Sequence, residues 1–198
     1  NTPIDLLDNE KIRFGTGDDL EIYHSGSNNI IQCDNGYQLH INKDTSENMA
    51  KFIPDGAVEL YHDNVKSFET KANGVIVQGT EGQNAELLLY ADEGDDDADK
   101  WRLKVDTNGQ FEINNYAAGS YEKNIECNGN GNVELYYDNT KKVETNSNGI
   151  KVTGSTYHQV DGQGVLIGAS NDLFIYHDGT NSHINNDTGQ IRTNSDWR

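Results

Sequence analysis

Two segments of this chain are near copies of each other: DGAVELYHDNVKSFETKANGVIVQG at residues 55–79 and NGNVELYYDNTKKVETNSNGIKVTG at residues 130–154. They are identical at 14 of 25 positions, without a gap, at an offset of 75 residues. A second pair, residues 13–32 and 166–185, is identical at nine of 20 positions. All four segments share a kernel in which an apolar residue, a spacer and Leu or Ile precede a tyrosine and a turn rich in Asp, Asn, Ser and Gly. Four copies of one kernel indicate an internal repeat.

The kernel predicts β-strands. In one copy Val58 and Leu60 flank Glu59, which is the two-residue period of a half-buried strand. The dipeptide Asp63-Asn64 follows, and such residues favour hairpin turns. Residues 46–52 have a helix-like composition but are too few for an independent helix, so we predict a strand or a loop there. The sequence therefore predicts an all-β fold, an elongated array of short strands and tight turns over residues 1–198.

The net charge narrows the classes of partner. Fifteen Lys and Arg against 33 Asp and Glu give a formal charge of −18. A surface of that charge is repelled by nucleic-acid phosphates and by anionic membranes, so we predict no nucleic-acid partner. No apolar run has the length of a membrane span, so we predict no membrane insertion. The two cysteines, Cys33 and Cys127, do not make a disulfide scaffold, and the sequence leaves open whether they pair.

The apolar content conflicts with the regular strand pattern. Leu, Ile, Val and Phe together number 42 of 198 residues, close to the level at which highly charged chains stay disordered. Repeats of this kind bury their apolar faces by stacking on neighbours, and strand edges need to be covered. An intertwined homotrimer would supply both, so we predict a trimeric fibre. A monomeric β-solenoid is the alternative.

Several strings resemble the repeats of phage tail fibre proteins, particularly those of marine phages such as cyanophages. They are NDLFIYHDGTNSHI at 171–184, GDDLEIYHSGSNNI at 17–30 and DGAVELYHDNVKSFET at 55–70. Residues 85–113, which contain LLLYADEGDDDADKWRL, are similar to a further module of such fibres, an insert with an acidic loop. The resemblance implies a virion structural protein in the tail fibre that contributes to host attachment. Its partners would be itself, other tail proteins and a host-surface glycan.

The acidic loop is a candidate metal site. Asp95, Asp97 and Asp99 are spaced like the first three ligands of a calcium-binding loop, and Asp106 stands at the twelfth place. Lys100 occupies the sixth place, where that loop needs glycine, so an EF-hand is excluded. A looser oxygen-ligand site for Ca²⁺ or Mg²⁺ and a solvated acidic hairpin tip are the two remaining interpretations.

Aromatic residues outside the kernel are candidate contacts for a glycan. The kernel tyrosines recur at one position, which favours structural packing. The candidates outside it are Tyr90, Trp101, Tyr116, Tyr121 and Tyr157.

The sequence predicts no catalytic residue. It has no G-x-S-x-G, H-E-x-x-H or G-x-x-x-x-G-K-[ST] motif. The repeated pairs Glu59/Glu134 and Glu69/Glu144 are interpreted as solvent-facing charges that oppose edge aggregation. The kernel histidine is replaced by Tyr137 in one copy, which favours packing or a hydrogen bond over metal ligation. The different-class alternative is a secreted carbohydrate-binding or polysaccharide-cleaving β module.

Overall fold

The computed structural model describes residues 3–34 and 36–192. It confirms the predicted all-β fold, with 50% of residues in strands and 3% in helical turns. The chain divides into two compact units, residues 1–150 and 151–198. Every sheet is an antiparallel meander in which each strand pairs with its neighbours in sequence.

Three sheets begin in the first unit, and the last strand of the third sheet ends two residues beyond it, at Val152. A three-stranded sheet comprises β1 (Lys11–Phe14), β2 (Leu20–His24) and β3 (Asn29–Cys33). A five-stranded sheet comprises β4 (Leu39–Asn42), β5 (Asn48–Phe52), β6 (Val58–His62), β7 (Val65–Lys71) and β8 (Gly74–Val77). A seven-stranded sheet comprises β9 (Ala85–Tyr90), β10 (Lys100–Val105), β11 (Gln110–Asn115), β12 (Glu122–Asn128), β13 (Val133–Tyr137), β14 (Thr140–Asn146) and β15 (Gly149–Val152). Two short 3-10 turns, Asp92–Gly94 and Asp97–Asp99, lie between β9 and β10.

The second unit contains one three-stranded sheet. It comprises β16 (Gly164–Ile167), β17 (Leu173–His177) and β18 (Ser182–Asn186). The first repeat type, residues 13–32 and 166–185, therefore falls in the two three-stranded sheets. Residues 46–52, which were predicted as strand or loop, contain strand β5.

The second repeat type adopts the same hairpin in both copies. Strands β6 and β7 pair Leu60 with Phe68, and strands β13 and β14 pair Leu135 with Val143. In each hairpin a β-bulge follows directly after this pair. The turn residues all have positive φ, which is the geometry of a type I′ hairpin turn. They are Asp63 (49°), Asn64 (63°), Asp138 (51°) and Asn139 (52°).

The contacts around this hairpin recur as well. The hydroxyl of Thr70 accepts the backbone N–H of Val58 at 2.8 Å, and the hydroxyl of Thr145 accepts that of Val133 at 2.9 Å. The turn asparagines also accept a backbone N–H from the strand on the other side of the hairpin's first strand: Asn64 accepts that of Asn48 on β5 at 2.8 Å, and Asn139 accepts that of Lys123 on β12 at 2.9 Å. The sequence repeat is thus a structural repeat that includes its side-chain hydrogen bonds.

In the first unit the strands bury charged residues and expose apolar ones, which is the reverse of what the sequence pattern suggested. Ala50 is the one buried hydrophobic residue of the described chain. The buried polar residues are Glu21, Glu69, Glu112, Asn114, Glu126 and Glu134. Apolar kernel residues are instead exposed, at 44% for Leu60, 43% for Leu135 and 41% for Ile175. Each sheet of the first unit therefore has a packed polar face and an open apolar face, whereas in the sheet of the second unit Phe174 and Tyr176 stack on the face opposite Ile175.

Candidate functional site

The polar face of the seven-stranded sheet is centred on Glu112, which is 2% exposed. Its carboxylate lies 2.8 Å from Lys104 Nζ and 3.3 Å from Lys123 Nζ, and it accepts a hydrogen bond of 3.1 Å from the Asn114 amide. These groups meet because they share one face of the sheet: Lys104 stands opposite Glu112, and Lys123 stands opposite Asn114, two residues further along β11. Burial raises the pKa of Glu112, but Lys104 and Asn114 outweigh it and hold that pKa below its ordinary value.

A lysine between two carboxylates recurs in both copies of the second repeat. Lys66 Nζ lies 2.9 Å from Glu59 and also pairs with Glu69. Lys141 Nζ lies 3.0 Å from Glu134 and also pairs with Glu144. The β-bulge brings the lysine and the second glutamate, three positions apart, onto the same face.

These ion pairs correct the interpretation of the repeated glutamates as solvated charges. Glu69 and Glu134 are 7% and 8% exposed and are covered by their lysines and by neighbouring side chains. The hydrogen bond from Lys66 lowers the pKa of Glu69, and the hydroxyl of Tyr136 does the same for Glu134. Burial and that bond raise the pKa of Tyr136 to about 12.

Four carboxyls of the polar faces do not have the pKa of a general acid. A carboxyl that donates a proton at neutral pH needs a raised pKa. The carboxyls of Glu59, Glu69, Glu112 and Glu134 all have lowered pKa values. All four groups are therefore ionised carboxylates at neutral pH.

The acidic loop between β9 and β10 brings three aspartates together. Carboxylate oxygens of Asp95, Asp96 and Asp99 all lie within 4.8 Å of one another. Asp97 instead pairs with Lys100 Nζ at 3.1 Å. Asp106 accepts the backbone N–H groups of Asn108 and Gln110 at 2.9 and 3.0 Å, and these bonds lower its pKa.

The structure groups the aspartates differently from the predicted ligand set. Asp106 is separated from the loop by the six residues of β10, which span roughly 20 Å in extended conformation. Asp96, which the ligand spacing passed over, joins Asp95 and Asp99. Asp95 and Asp96 are exposed, and an exposed acidic cluster does not by itself indicate a bound ion. The calcium or magnesium site remains a prediction.

Three of the candidate aromatic residues lie together at the same end of the sheet. The rings of Tyr116 and Tyr121 meet edge to face, with centroids 4.9 Å apart. Burial and a hydrogen bond with Tyr90 raise the pKa of Tyr121. Lys100 Nζ lies 5.5 Å from the centre of the Tyr116 ring, and the guanidinium of Arg102 lies 4.0 Å from that of Tyr121. A cation thus occupies one face of two of these rings.

The other two aromatic candidates lie elsewhere. Trp101 alternates with Lys100 and Arg102 along β10, so it lies on the apolar face, opposite Leu89. Tyr157 lies in a loop of the second unit and is 82% exposed. The structure therefore supports a cluster of three tyrosines.

Two of the histidines lie beside an aspartate, and both cysteines are free. His24 Nδ1 lies 2.7 Å from Asp8, and His183 Nε2 lies 2.6 Å from Asp178. The backbone N–H of Asn181 and His183 together hold the pKa of Asp178 well below its ordinary value. Within residues 3–34 and 36–192, the one cluster of three potential metal ligands is that of the acidic loop. Cys33 and Cys127 are free thiols.

Comparisons with protein-family models, curated proteins and solved structures found no match. In the described part of the chain, no helix has the length and apolar character needed to cross a membrane.

Sequence analysis missed the lysine-centred contacts of the polar face. A signal for them was present, because Glu, Tyr, Lys and Glu recur with the same spacing in residues 55–79 and 130–154. The tyrosine and the first glutamate are two residues apart on one strand and therefore share a face, where the tyrosine hydroxyl donates a hydrogen bond to the glutamate.

Proposed function

We propose that this chain is a structural and adhesive segment of a phage tail fibre, contributing to virion architecture and host-surface attachment. The observation that carries the proposal is a hairpin module that recurs with its side-chain contacts at an offset of 75 residues. A module that cannot bury its apolar face alone is typical of repeat arrays, which build long structures by adding units. Its partners in the proposal are two further copies in a homotrimer and the adjoining tail proteins.

The polar faces support a role in architecture. Their carboxylates are paired with lysines or hydrogen-bonded within the same sheet, so each module is ordered by contacts that it supplies itself. Glutamates stand directly opposite one another on adjacent strands, as Glu59 does to Glu69 and Glu134 to Glu144. Facing like charges destabilise a sheet, and Lys66 and Lys141 offset this because each lies between the two carboxylates of one pair. Such a surface suits a shaft that faces water along its length.

An adhesive role is supported by the three-tyrosine cluster, Tyr90, Tyr116 and Tyr121. Tyr90 is 52% exposed, and an exposed aromatic ring offers an apolar surface with a polar tip to a ligand. The neighbouring acidic loop supplies carboxylate acceptors that could bond sugar hydroxyls. The tyrosine cluster beside the acidic loop also favours the alternative, a secreted carbohydrate-binding or polysaccharide-cleaving β module.

Electron microscopy tests the location. Antibodies raised against the purified chain are applied to phage particles that encode it, with the same serum pre-absorbed on the chain as control. We expect label on the tail fibres that is lost with the absorbed serum. Label confined to the capsid, or absent from intact particles, would contradict the proposal.

Incubation with host-surface polysaccharide separates the proposal from the enzymatic alternative. We expect binding to the polysaccharide, weakened by Tyr90→Ala, and no release of saccharide. Saccharide release that is abolished by replacing a single carboxylate with its amide would instead establish a polysaccharide-cleaving module.

A further inference from the structure

Strand β9 forms one edge of the seven-stranded sheet and, among the strands of the described chain, pairs with β10 alone. It has six residues, whereas the other sheet edges within residues 3–34 and 36–192 are strands of four or five. Proteins commonly protect a sheet edge with lysine, proline or a β-bulge. The strand sequence AELLLY contains neither lysine nor proline, and its pairing with β10 has no shift in register. This edge is therefore both long and unprotected.

The backbone groups that point outward from β9 can be assigned from the ladder. The N–H of Ala91 donates to the carbonyl of Asp99 at 3.1 Å, and this pair continues the register of β9 with β10. Hydrogen-bonded pairs alternate along an antiparallel ladder, so every second residue back from Ala91 is bonded to β10. The N–H and C=O groups of the residues between them therefore point away from the sheet. These residues are Glu86, Leu88 and Tyr90.

The space beside this edge is open on the polar face of the sheet. A groove of about 810 Å³ is lined by Glu86 and Leu88 from β9, by His62 and Ser67 from the five-stranded sheet, and by Gln78 just after β8. Leu88 is 45% exposed. The outward backbone groups thus lie along a groove with room for the side chains of an added strand.

The two faces of β9 specify alternating residues in an added strand. Leu87 and Leu89 lie on the apolar face and are 45% and 50% exposed. Glu86 lies on the polar face, opposite Lys104. Residues that stand opposite each other in paired strands have side chains on the same face. An added strand therefore needs apolar residues opposite Leu87 and Leu89 and polar residues at the positions between them.

The charges around β9 favour basic residues at those polar positions. Glu81 precedes the strand, and Asp92 and Glu93 follow it. Within the described chain none of these three carboxylates has a lysine or arginine partner. The nearby cation Arg102 is already paired with Glu86 at 3.0 Å. Lysine or arginine in an added strand would supply the missing opposite charges, which stabilise strand pairing.

We infer that the open edge of β9 binds an extended segment of a different protein in which lysine or arginine alternates with apolar residues. The backbone of that segment pairs with the outward groups of Glu86, Leu88 and Tyr90, which is recognition by β-strand addition. A second copy of β9 fits less well, because antiparallel pairing would place the acidic loop of one copy beside the Glu81–Glu86 end of the other. The inference does not rest on the proposed function, since it uses only the edge, the groove and the charges.

Binding of a labelled peptide to the full chain tests the inference. The probe is a capped peptide of alternating valine and lysine that spans the six residues of β9, and its binding is followed by fluorescence anisotropy. The control peptide has the same composition with its valines and lysines in separate blocks, so its net charge is the same but its alternation is lost. We expect saturable binding of the alternating peptide and at least about tenfold weaker binding of the block peptide.

A substitution at Leu88 tests whether the backbone of β9 makes the contact. Leu88→Pro removes an outward N–H but no hydrogen bond to β10, and proline is accepted on an edge strand at such a position. Leu88→Val is the matched control because it keeps that N–H. We expect Leu88→Pro to weaken peptide binding at least about tenfold, whereas Leu88→Val should change it by less than about twofold.

Amide hydrogen exchange of the wild-type chain gives a second test that stays decisive if Leu88→Pro fails to fold. Exchange is followed residue by residue by NMR, with and without the alternating peptide. We expect the peptide to slow exchange at least about tenfold at Glu86, Leu88 and Tyr90. Leu87 and Leu89 should change less, because their N–H groups are already bonded to β10.

Several results would overturn the inference. They are absence of peptide binding, equal binding of the block peptide, unchanged binding by folded Leu88→Pro, and protection that does not alternate along β9. Sedimentation of the wild-type chain as an oligomer that Leu88→Pro dissociates would show that a second copy occupies the edge, and would also overturn it. Alternating protection by the peptide without antibody label on tail fibres would leave the inference intact and contradict the proposed function.

Discussion

Replacing Glu112 with Gln should destabilise the first unit more than any other neutralisation of a single charge on the seven-stranded sheet. The change leaves the side-chain shape intact but removes the negative charge that faces Lys104 at 2.8 Å and Lys123 at 3.3 Å. Removing one partner of a buried ion pair costs about 3–5 kcal/mol. Lys123 retains its pair with Glu126, so we expect the lower end, about 3 kcal/mol of unfolding free energy.

Urea unfolding followed by circular dichroism, at pH 7 and one fixed chain concentration, measures this loss. The control is Glu47→Gln, which removes an exposed pair with Lys43 at 2.8 Å and should cost no more than about 0.5 kcal/mol. Lys104→Met removes the other charge of the same ion pair. The double variant Glu112→Gln/Lys104→Met should therefore lose less unfolding free energy than the sum of the losses of the two single variants. Equal losses for Glu112→Gln and Glu47→Gln would refute the account of the polar face.

Further predictions concern pH, salt and the repeated hydroxyls. The pKa values of Glu69 and Glu134 are lower in the folded chain than their ordinary values, so the ionised carboxylates stabilise the fold at pH values above the ordinary carboxyl pKa. The melting temperature should therefore fall as the pH drops from about 5 through the pKa values of the folded state. A melting temperature that does not change over this pH range would contradict this. Melting temperature should rise with NaCl because the net charge is −18, and CaCl₂ at equal ionic strength should raise it further only if the acidic loop binds the ion. Thr70→Val and Thr145→Val should each cost about 1 kcal/mol in urea unfolding, since each removes the acceptor of one backbone N–H; markedly unequal losses would show that the two copies are not equivalent.

The all-β fold could be predicted from the sequence because the kernel contains two local signals, the alternation of a strand and the residues of a hairpin turn. Val58 and Leu60 alternate with Glu59, and Asp63-Asn64 supplies the positive φ values of the turn. The roles of the two faces could not be predicted in this way. Alternation shows that the faces differ, but the packing of Glu69 beneath Lys66 depends on the bulge after Leu60, which shifts the register by one residue.

The grouping of the aspartates in the acidic loop could not be predicted from their spacing, for a related reason. The spacing of Asp95, Asp97, Asp99 and Asp106 assumes one continuous curved loop. In the structure, strand β10 begins at Lys100 and extends the chain away from the loop, so that Asp106 lies beyond its other end. No periodicity in the sequence predicts the tyrosine cluster. Tyr90, Tyr116 and Tyr121 are brought together by the pairing of three strands.

The bulged hairpin has a consequence for how such a chain can change over generations. Its turn, its bulge, its lysine between two glutamates and its threonine acceptor all lie within 25 residues, and both copies contain the complete set. A recombination event that exchanged or inserted one such block would transfer its polar contacts intact. Length could thus be gained or lost in whole blocks without redesigning the sequence on either side.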